Sequence, residues 1–600
     1  MSQTEHIIQR LRLPFAEDVS SLYVRWNKGA AVHYDAKQGY IFMNKGDCLS
    51  FNTYFNSFYP QHYREYTNVD SLSYLLSLEG DFRVKLFCER YIGEKEELSS
   101  QEYQECLTDR QVLLDIPKSF FAGRIYLELE CLSEGGIFKG GALITERLPE
   151  QDVRLAIVIC TYRKEEYVRQ NAERLLGDTE LKKKEWNLFV VDNAKTLSPW
   201  EDERIQLIPN KNVGGSGGFA RGMLAAQESD CTHILCMDDD IAFDSEVICR
   251  LINFYSYSKK DCAVSGSMLD GSRKCMLHEA GSTYAMNAHP GRFGFFNKAL
   301  KYNTDLSCSN NLNMLLFEEH IDFGAFWFFA FPYNLLKEVG YMPPFFIRMD
   351  DTDFGLRITS KTDTKIIAPP GLAVWHDSFD GKHYTWLEYY NLRNSLIIHI
   401  LYQNPRFVRG VLPIFLKHFL RALYAFDYGR ARMVVRALRD YLQGPDFFKD
   451  TDPEALHTRI LAESRGTNKM PVPRQCSQVS CAVVRDTVRH GLLANLFQLL
   501  ILNGHLLPNF LLKDEDIFYN LEPTNQGWLL FRHRKCNMVD PQNDVTLRTM
   551  DRKTAMSLTA AFVKTALRGC VRWHRVQRQW RKEMPKMRTE EFWRSYLGMM

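Results

Sequence analysis

The chain has 600 residues, 45% of them apolar and 25% charged, with a formal net charge of +2. That length exceeds what one hydrophobic core can organise and points to three domains, or to two with an appendage. The near-balanced charge and ample apolar content exclude a disordered chain and a nucleic-acid coat.

The opening stretch, MSQTEHIIQRLRLPF, carries acid and arginine where a secretory leader needs an apolar run. No uninterrupted apolar stretch reaches the roughly eighteen residues a membrane span requires. The 15 cysteines are scattered. The nearest pairs, Cys231/Cys236 and Cys476/Cys481, are spaced too widely for a zinc knuckle, so all are read as reduced thiols of a cytoplasmic protein.

Over residues 1–150 the apolar pattern has period two. FRVKLF puts Phe82, Val84 and Leu86 on one face and Arg83 and Lys85 on the other, and RIYLELECL does the same with Ile125, Leu127, Leu129 and Cys131. This predicts antiparallel strands with one wet face, hence a β-sandwich. Over 151–400, continuous apolar runs alternate with charged, helix-like segments: LAIVIC, EEYVRQNAERLL, NLFVVD. Buried parallel strands joined by helices have this signature, which predicts a doubly wound α/β domain.

Residues 401–600 read as a helical region. The helices start near residue 385, where TWLE offers a capping box with Thr385 as N-cap and Glu388 three residues on. From Ala561 to Met600 ten Lys/Arg face three Glu, and Trp573, Trp580 and Trp593 are interleaved with them. That pattern suits a basic amphipathic helix on anionic lipid, or a last helix packed on its own protein.

In open parallel sheets ligands gather at the carboxyl ends of the strands. Those ends carry Thr161, Tyr162 and Arg163; Asp192 and Asn193; Asp238, Asp239 and Asp240; and His376. Alternation along an extended segment lets Asp238 and Asp240 face one way while Asp239 faces another. Two such carboxylates make a hard-oxygen site for Mn2+ or Mg2+. NVGGSGGFARGM lacks a Walker ending. Its glycines, Gly214 to Gly218, would let backbone approach a ligand and present helix N-terminal N–H groups. A second acidic cluster, Asp350, Asp351 and Asp353, could supply a general base or cap a helix. The constellation matches a nucleotide-sugar transferase of GT-A type, in which a cation holds the diphosphate and a carboxylate takes the acceptor's proton.

With SFNTYFNSFYPQHYREYT, NVGGSGGFARGM, MDDDI, IDFGAFWFFAFP, PPFFIRMDDTDFGLR and PGLAVWHDSF in order along residues 1 to 400, the chain resembles the polymerising galactofuranosyltransferases of glycosyltransferase family 2. The resemblance implies an α/β GT-A-type central domain, an N-terminal jelly-roll-like antiparallel β-sandwich beside the acceptor, and a C-terminal α-helical region. It implies that Asp238, Asp240 and His376 bind the metal, and that Asp351 is the inverting general base with Asp350 beside it. Thr161, Arg163, Asp192, Asn212, Gly214 and Gly217, with Asp238, would hold the uridine diphosphate. Phe326, Trp327 and Phe379 would face the acceptor; two of them are Phe where the family has Trp, which loses an indole N–H donor.

The implied partners are UDP-galactofuranose, a lipid-linked glycan acceptor and the inner face of the cytoplasmic membrane, bound peripherally; a homo-oligomer is compatible and nucleic acid is not expected. Two alternatives stay open: a transferase of galactopyranose, glucose or rhamnose, and an inactive carbohydrate-binding protein.

Overall fold

The computed structural model describes residues 5–27, 33–35, 39–104, 110–116, 123–285, 291–377, 384–466, 469–472, 492–514, 518–520, 530–539 and 545–599. Phe379, Cys476 and Cys481 lie outside the described residues. The chain divides into two compact units. The first comprises Met1–Tyr284, Asn297–Met342 and Asp351–Ser378; the second comprises Ala285–Phe296, Pro343–Asp350 and Phe379–Met600. The regions 1–150 and most of 151–400, expected as separate domains, therefore share the first unit.

Two antiparallel sheets open the first unit. One runs in the order His33–Asp35, Tyr40–Met43, Gly136–Thr145, Ser73–Glu79, Arg110–Asp115, with His6–Arg10 also pairing Gly136–Thr145. The other runs Arg25–Trp26, Cys48–Ser50, Arg124–Cys131, Phe82–Glu89, Lys95–Tyr103. The period-two reading holds residue by residue. Phe82, Val84, Leu86, Ile125, Leu127, Leu129 and Cys131 are buried. On the wet face Arg83 bridges Glu130 at 2.7 Å and Glu102 at 2.5 Å.

These strands are tied to the α/β part by charge as well as apolar packing. The Arg10 guanidinium pairs with Glu246 and, at 2.8 Å, with Asp178, and Arg250 donates to the carbonyls of Phe55 and Arg10. Such groups are seldom buried unless paired. Burial works against the Asp178 carboxyl, yet bonds from Arg10 and Ser245 hold it down at about 2.

The central sheet has seven strands in the order Ile205–Pro209, Glu185–Asp192, Arg154–Thr161, His233–Asp238, Phe328–Pro332, Cys262–Ser265, Lys365–Ile367. The first four are mutually parallel, as continuous apolar runs require. Phe328–Pro332 is antiparallel to both neighbours, so the sheet is mixed where an all-parallel one was expected. Its sequence, FFAFP, is apolar on both faces, and such a run carries no directional signal.

The helix Gly214–Glu228 lies on the strand Arg154–Thr161, and glycine sets how closely. A Cβ at Gly218 would sit 2.0 Å from Cys160 Sγ, and one at Gly222 would sit 2.2 Å from Val158 Cγ1. Gly218→Ala is expected to destabilise the protein by about 1–3 kcal/mol through overpacking, read as a lower midpoint in thermal unfolding. An unchanged midpoint would show that the helix can move away at no cost.

The second unit holds the helices Leu387–Tyr402, Leu412–Tyr424, Tyr428–Tyr441, Pro453–Ser464 and Arg552–Glu583, together with a four-stranded sheet that the helical reading did not include. The capping box does not form. Trp386 is the N-cap, and Glu388 instead accepts from His418 at 2.6 Å and Arg430 at 3.2 Å. Trp573, Trp580 and Trp593 are buried. The first two donate their indole N–H to the carbonyls of Pro405 (3.0 Å) and Tyr441 (3.1 Å). The interleaved tryptophans therefore anchor the last helices to their own protein, and lipid contact through these rings is ruled out. Among the described residues no helix is long and apolar enough to cross a membrane.

Candidate functional site

The strand His233–Asp238 delivers Asp238 at its end, and the following turn carries Asp239 and Asp240. His376 arrives from a second, four-stranded sheet as the last residue of Ala373–His376, which runs parallel to Ser267–Asp270. Past the strand end, Ala242 N–H donates to Trp375 O at 2.8 Å and Trp375 N–H to Ala242 O at 2.7 Å. That bridge, two residues past Asp240 and one before His376, brings the three side chains together.

One ligand atom from each of Asp238, Asp240 and His376 lies within 4.8 Å of the others. His376 Nε2 is 3.3 Å from Asp240 Oδ1 and 3.9 Å from Asp238 Oδ2. Its Nδ1 lies 2.7 Å from Asp377 O and donates to it, which points Nε2 toward the carboxylates. Two carboxylate oxygens and an oriented imidazole suit Mn2+ or Mg2+, Mn2+ more so because of the nitrogen. Asp239 does not join the three, although it stands in the same turn as Asp240 and shares Lys164 with it. Its main-chain carbonyl accepts from Asn171 at 3.0 Å and its carboxylate lies 3.6 Å from Lys164 Nζ.

Lys164 was not singled out in the sequence, although it stands directly after the polar TYR that ends its strand. It pairs with Asp240 as well. Burial pushes the Asp240 carboxyl up, but His376 and Lys164 outweigh it and hold the group well below the usual carboxylate range. Asp239, more deeply buried, is pushed up to about 7, with Lys164 opposing. Burial lowers His376, but Asp240 and Asp238 bring it above the ordinary imidazole value.

The neighbouring strand ends take different parts. Thr161 is buried, whereas Tyr162 is exposed with the Arg163 guanidinium 5.3 Å from its ring. Arg163 has φ of 58°, a left-handed backbone that aims the side chain out of the strand line. Asp192 accepts four backbone N–H groups, from Ala194 and Lys195 at 2.9 Å each, Thr196 at 2.6 Å and Leu197 at 2.8 Å. A carboxylate has about four lone-pair positions, so Asp192 is spent on shaping this loop.

Asn212 Oδ1 accepts from Gly214 N–H at 3.2 Å, and Gly214 has φ of +70°, which turns the chain into the helix. Gly217 is buried in the first turn. Of the glycines expected to admit a ligand, Gly214 makes the turn and Gly218 makes room for the sheet, as does Gly222 beyond them.

Asp351 lies in the first turn of the helix Asp350–Lys361, where its Oδ1 accepts from Thr352 N–H at 2.6 Å and Thr352 Oγ1 at 3.2 Å. Asp353 is structural, bridged at 2.9 Å to Arg357, whose other nitrogens bind the carbonyls of Val339, Gly340 and Tyr341. Asp350 closes a stretch of the second unit in which Phe346, Arg348 and Met349 all adopt positive φ, at 75°, 70° and 71°. Non-glycine residues in that region cost about 1–3 kcal/mol each. Arg393 offsets the cost by donating to Phe345 O, and Asn394 by donating to Ile347 O and Arg348 O.

Glu279 is a second residue that the sequence reading passed over. It ends the strand Met276–Glu279, is buried, and accepts from Ser282 Oγ at 2.8 Å. Burial, helped by the negative charge of Asp351, pushes its carboxyl up to about 8. The native state then holds a proton that the unfolded chain releases near pH 4.5, so stability declines as pH rises from about 4.5 to about 8. Glu279→Gln removes that decline. Its unfolding midpoint should match wild type near pH 4.5 and exceed it at pH 8 by up to a few kcal/mol of stability. Parallel midpoint curves would contradict the buried proton.

Phe326 is core, packed against Phe219, Phe329 and Phe354, and does not offer the open platform expected. Trp327 donates its indole N–H to Gly266 O at 3.1 Å, and its ring lies 6.5 Å from that of His376.

Residues 156–329 match the family model for glycosyl transferase family 2, and residues 8–141 match that for the N-terminal domain of galactofuranosyltransferase 2. Galactofuranosyltransferase GlfT2 of Mycobacterium tuberculosis is 23% identical, covering 92% of this chain and 90% of its own. Galactofuranosyltransferase GlfT2 of Mycolicibacterium smegmatis is 25% identical over 66% of this chain and 64% of its own. A mannosyltransferase of Pyrobaculum calidifontis, solved with GDP-mannose and Mn2+, is similar over 52% of this chain and 82% of its own at 14% identity; its TM-score of 0.29 is too low to assign function.

Proposed function

We propose that this chain, a glycosyltransferase whose central domain is of family 2, is an inverting, metal-dependent enzyme that transfers galactofuranose from UDP-galactofuranose to a growing, lipid-linked polysaccharide. It would work peripherally at the inner face of the cytoplasmic membrane. The observation that carries the reading is the convergence of Asp238, Asp240 and His376 from two sheets onto one point at the carboxyl end of the central strands.

A divalent cation held by these three would neutralise charge on the departing diphosphate. The uridine end would lie along Thr161, Arg163 and the loop that Asp192 shapes, with Asn212, Gly214 and Gly217 bordering the diphosphate. Asp351, with Oδ1 held by Thr352, accepts the proton of the acceptor hydroxyl. The hydroxyl oxygen then bonds to the anomeric carbon from the face opposite the leaving diphosphate, which inverts that centre. Glu279, neutral below about pH 8, adds no second negative charge beside the base. Trp327 and the N-terminal sheets would border the acceptor.

Purified protein incubated with Mn2+, UDP-galactofuranose and a galactofuranosyl acceptor should yield extended products by mass spectrometry. Turnover of UDP-galactopyranose, UDP-glucose or a rhamnose nucleotide in its place would reassign the donor. No turnover with any donor, but retained glycan binding, would leave a carbohydrate-binding protein.

A further inference from the structure

The second unit contains a pocket of about 490 Å³ whose lining includes five arginines: Arg436, Arg439, Arg459, Arg568 and Arg572. They come from three helices, Tyr428–Tyr441, Pro453–Ser464 and Arg552–Glu583. Arg568 and Arg572 are four apart, so they stand on one face of the last of these. Asp440 is the one carboxylate among the described lining residues. Its oxygens are already taken by Arg436 at 3.2 Å, Arg439 at 3.3 Å, Tyr389 Oη at 3.0 Å and Gln443 at 3.0 Å. Arg436 also pairs with Glu463. Among the described residues, Arg459, Arg568 and Arg572 meet no carboxylate in the pocket lining, and gathering such charges is unfavourable unless an anion joins them.

Arg568 also lines a second, open groove of about 680 Å³, formed by Leu506, Met556, Val563 and Leu567 with Lys564 at its side. These apolar side chains are exposed, Leu567 to 64% and Met556 to 55%. One helix thus carries a cationic pocket and an apolar groove that share a residue. A free anion would explain the first and leave the second unused. A second copy of this chain would bring the same uncompensated arginines.

We propose that the pocket and groove together bind a lipid with a net anionic phosphate headgroup, with the phosphate among Arg459, Arg568 and Arg572 and the chain along Val563 and Leu567. Guanidinium forks match phosphate oxygens bidentately, and several basic residues beside an apolar face are what holds a protein to an anionic leaflet. This deepens the membrane part of the function proposed above and is independent of the sugar transferred, because binding can be read without turnover.

The test is flotation of the full chain with vesicles of phosphatidylcholine alone or phosphatidylcholine containing phosphatidic acid, with calorimetry of inorganic diphosphate binding in EDTA alongside. Wild type should float with the acidic vesicles and far less with the neutral ones. Arg459→Ala/Arg568→Ala/Arg572→Ala should weaken vesicle binding on the order of a hundredfold, from about a factor of five per charge near an anionic surface. Val563→Ser/Leu567→Ser should weaken vesicle binding but leave the diphosphate isotherm unchanged. All five positions are on exposed helix faces, and circular dichroism checks that the variants fold. The proposal is overturned if the triple variant floats like wild type. It is equally overturned if diphosphate binds and acidic vesicles do not.

Discussion

Asp351→Asn is expected to lower kcat about 100- to 10,000-fold, the range a positioned general base contributes, with little change in KM for the donor. The substitution keeps size and shape. The retained amide oxygen can still accept from Thr352 N–H and Oγ1, so the helix start survives and the unfolding midpoint should stay near that of wild type. What is lost is an oxygen basic enough to take the acceptor's proton. Asp350→Asn serves as the contrast, since Asp350 ends the strained stretch before the helix. If Asp351→Asn turned over normally while Asp350→Asn did not, the base would be Asp350 and the assignment would be exchanged.

The second large effect is at the cation site. Asp240→Asn removes one of three donors and leaves Lys164, which pairs with Asp240, as a positive charge beside the vacated position. Mn2+ binding by calorimetry should weaken severely, and transfer should fall on the order of a thousandfold, as when a preorganised charge partner of a leaving group is deleted. EDTA treatment of wild type should produce the same loss, restored by added Mn2+. Asp239→Asn should cost much less, because the Asp239 carboxylate faces Lys164 and is not one of the three ligand groups that converge. Equal loss in both variants would mean that the triplet acts as one acidic patch and that alternation does not sort it.

Period-two alternation and continuous apolar runs were legible because each reports burial of a face, which local side-chain direction determines. Phe82 to Leu86 and Leu155 to Ile159 are strands with the burial that those patterns demand. The Asp238/Asp240 pairing was read from the same alternation, although only Asp238 is in the strand and Asp240 follows in a turn. The tail was ambiguous: Trp573 and Trp580 have the spacing of a membrane helix and of a core helix alike, and only the carbonyls of Pro405 and Tyr441 decide between them.

By itself, then, the sequence determined the element types of the β-sheet and α/β regions, the strand ends that carry polar groups and the pairing of Asp238 with Asp240. These follow from short-range geometry along the chain. The tertiary structure decided the direction of Phe328–Pro332, the packing work of Gly218 and Gly222, and the approach of Glu279 to Asp351 and of Lys164 to Asp240. It also decided that His376 reaches Asp240 through the Ala242–Trp375 bridge, 136 positions after Asp240 in the chain. Contacts of that separation depend on how two sheets meet, and no local pattern of polar and apolar residues encodes it.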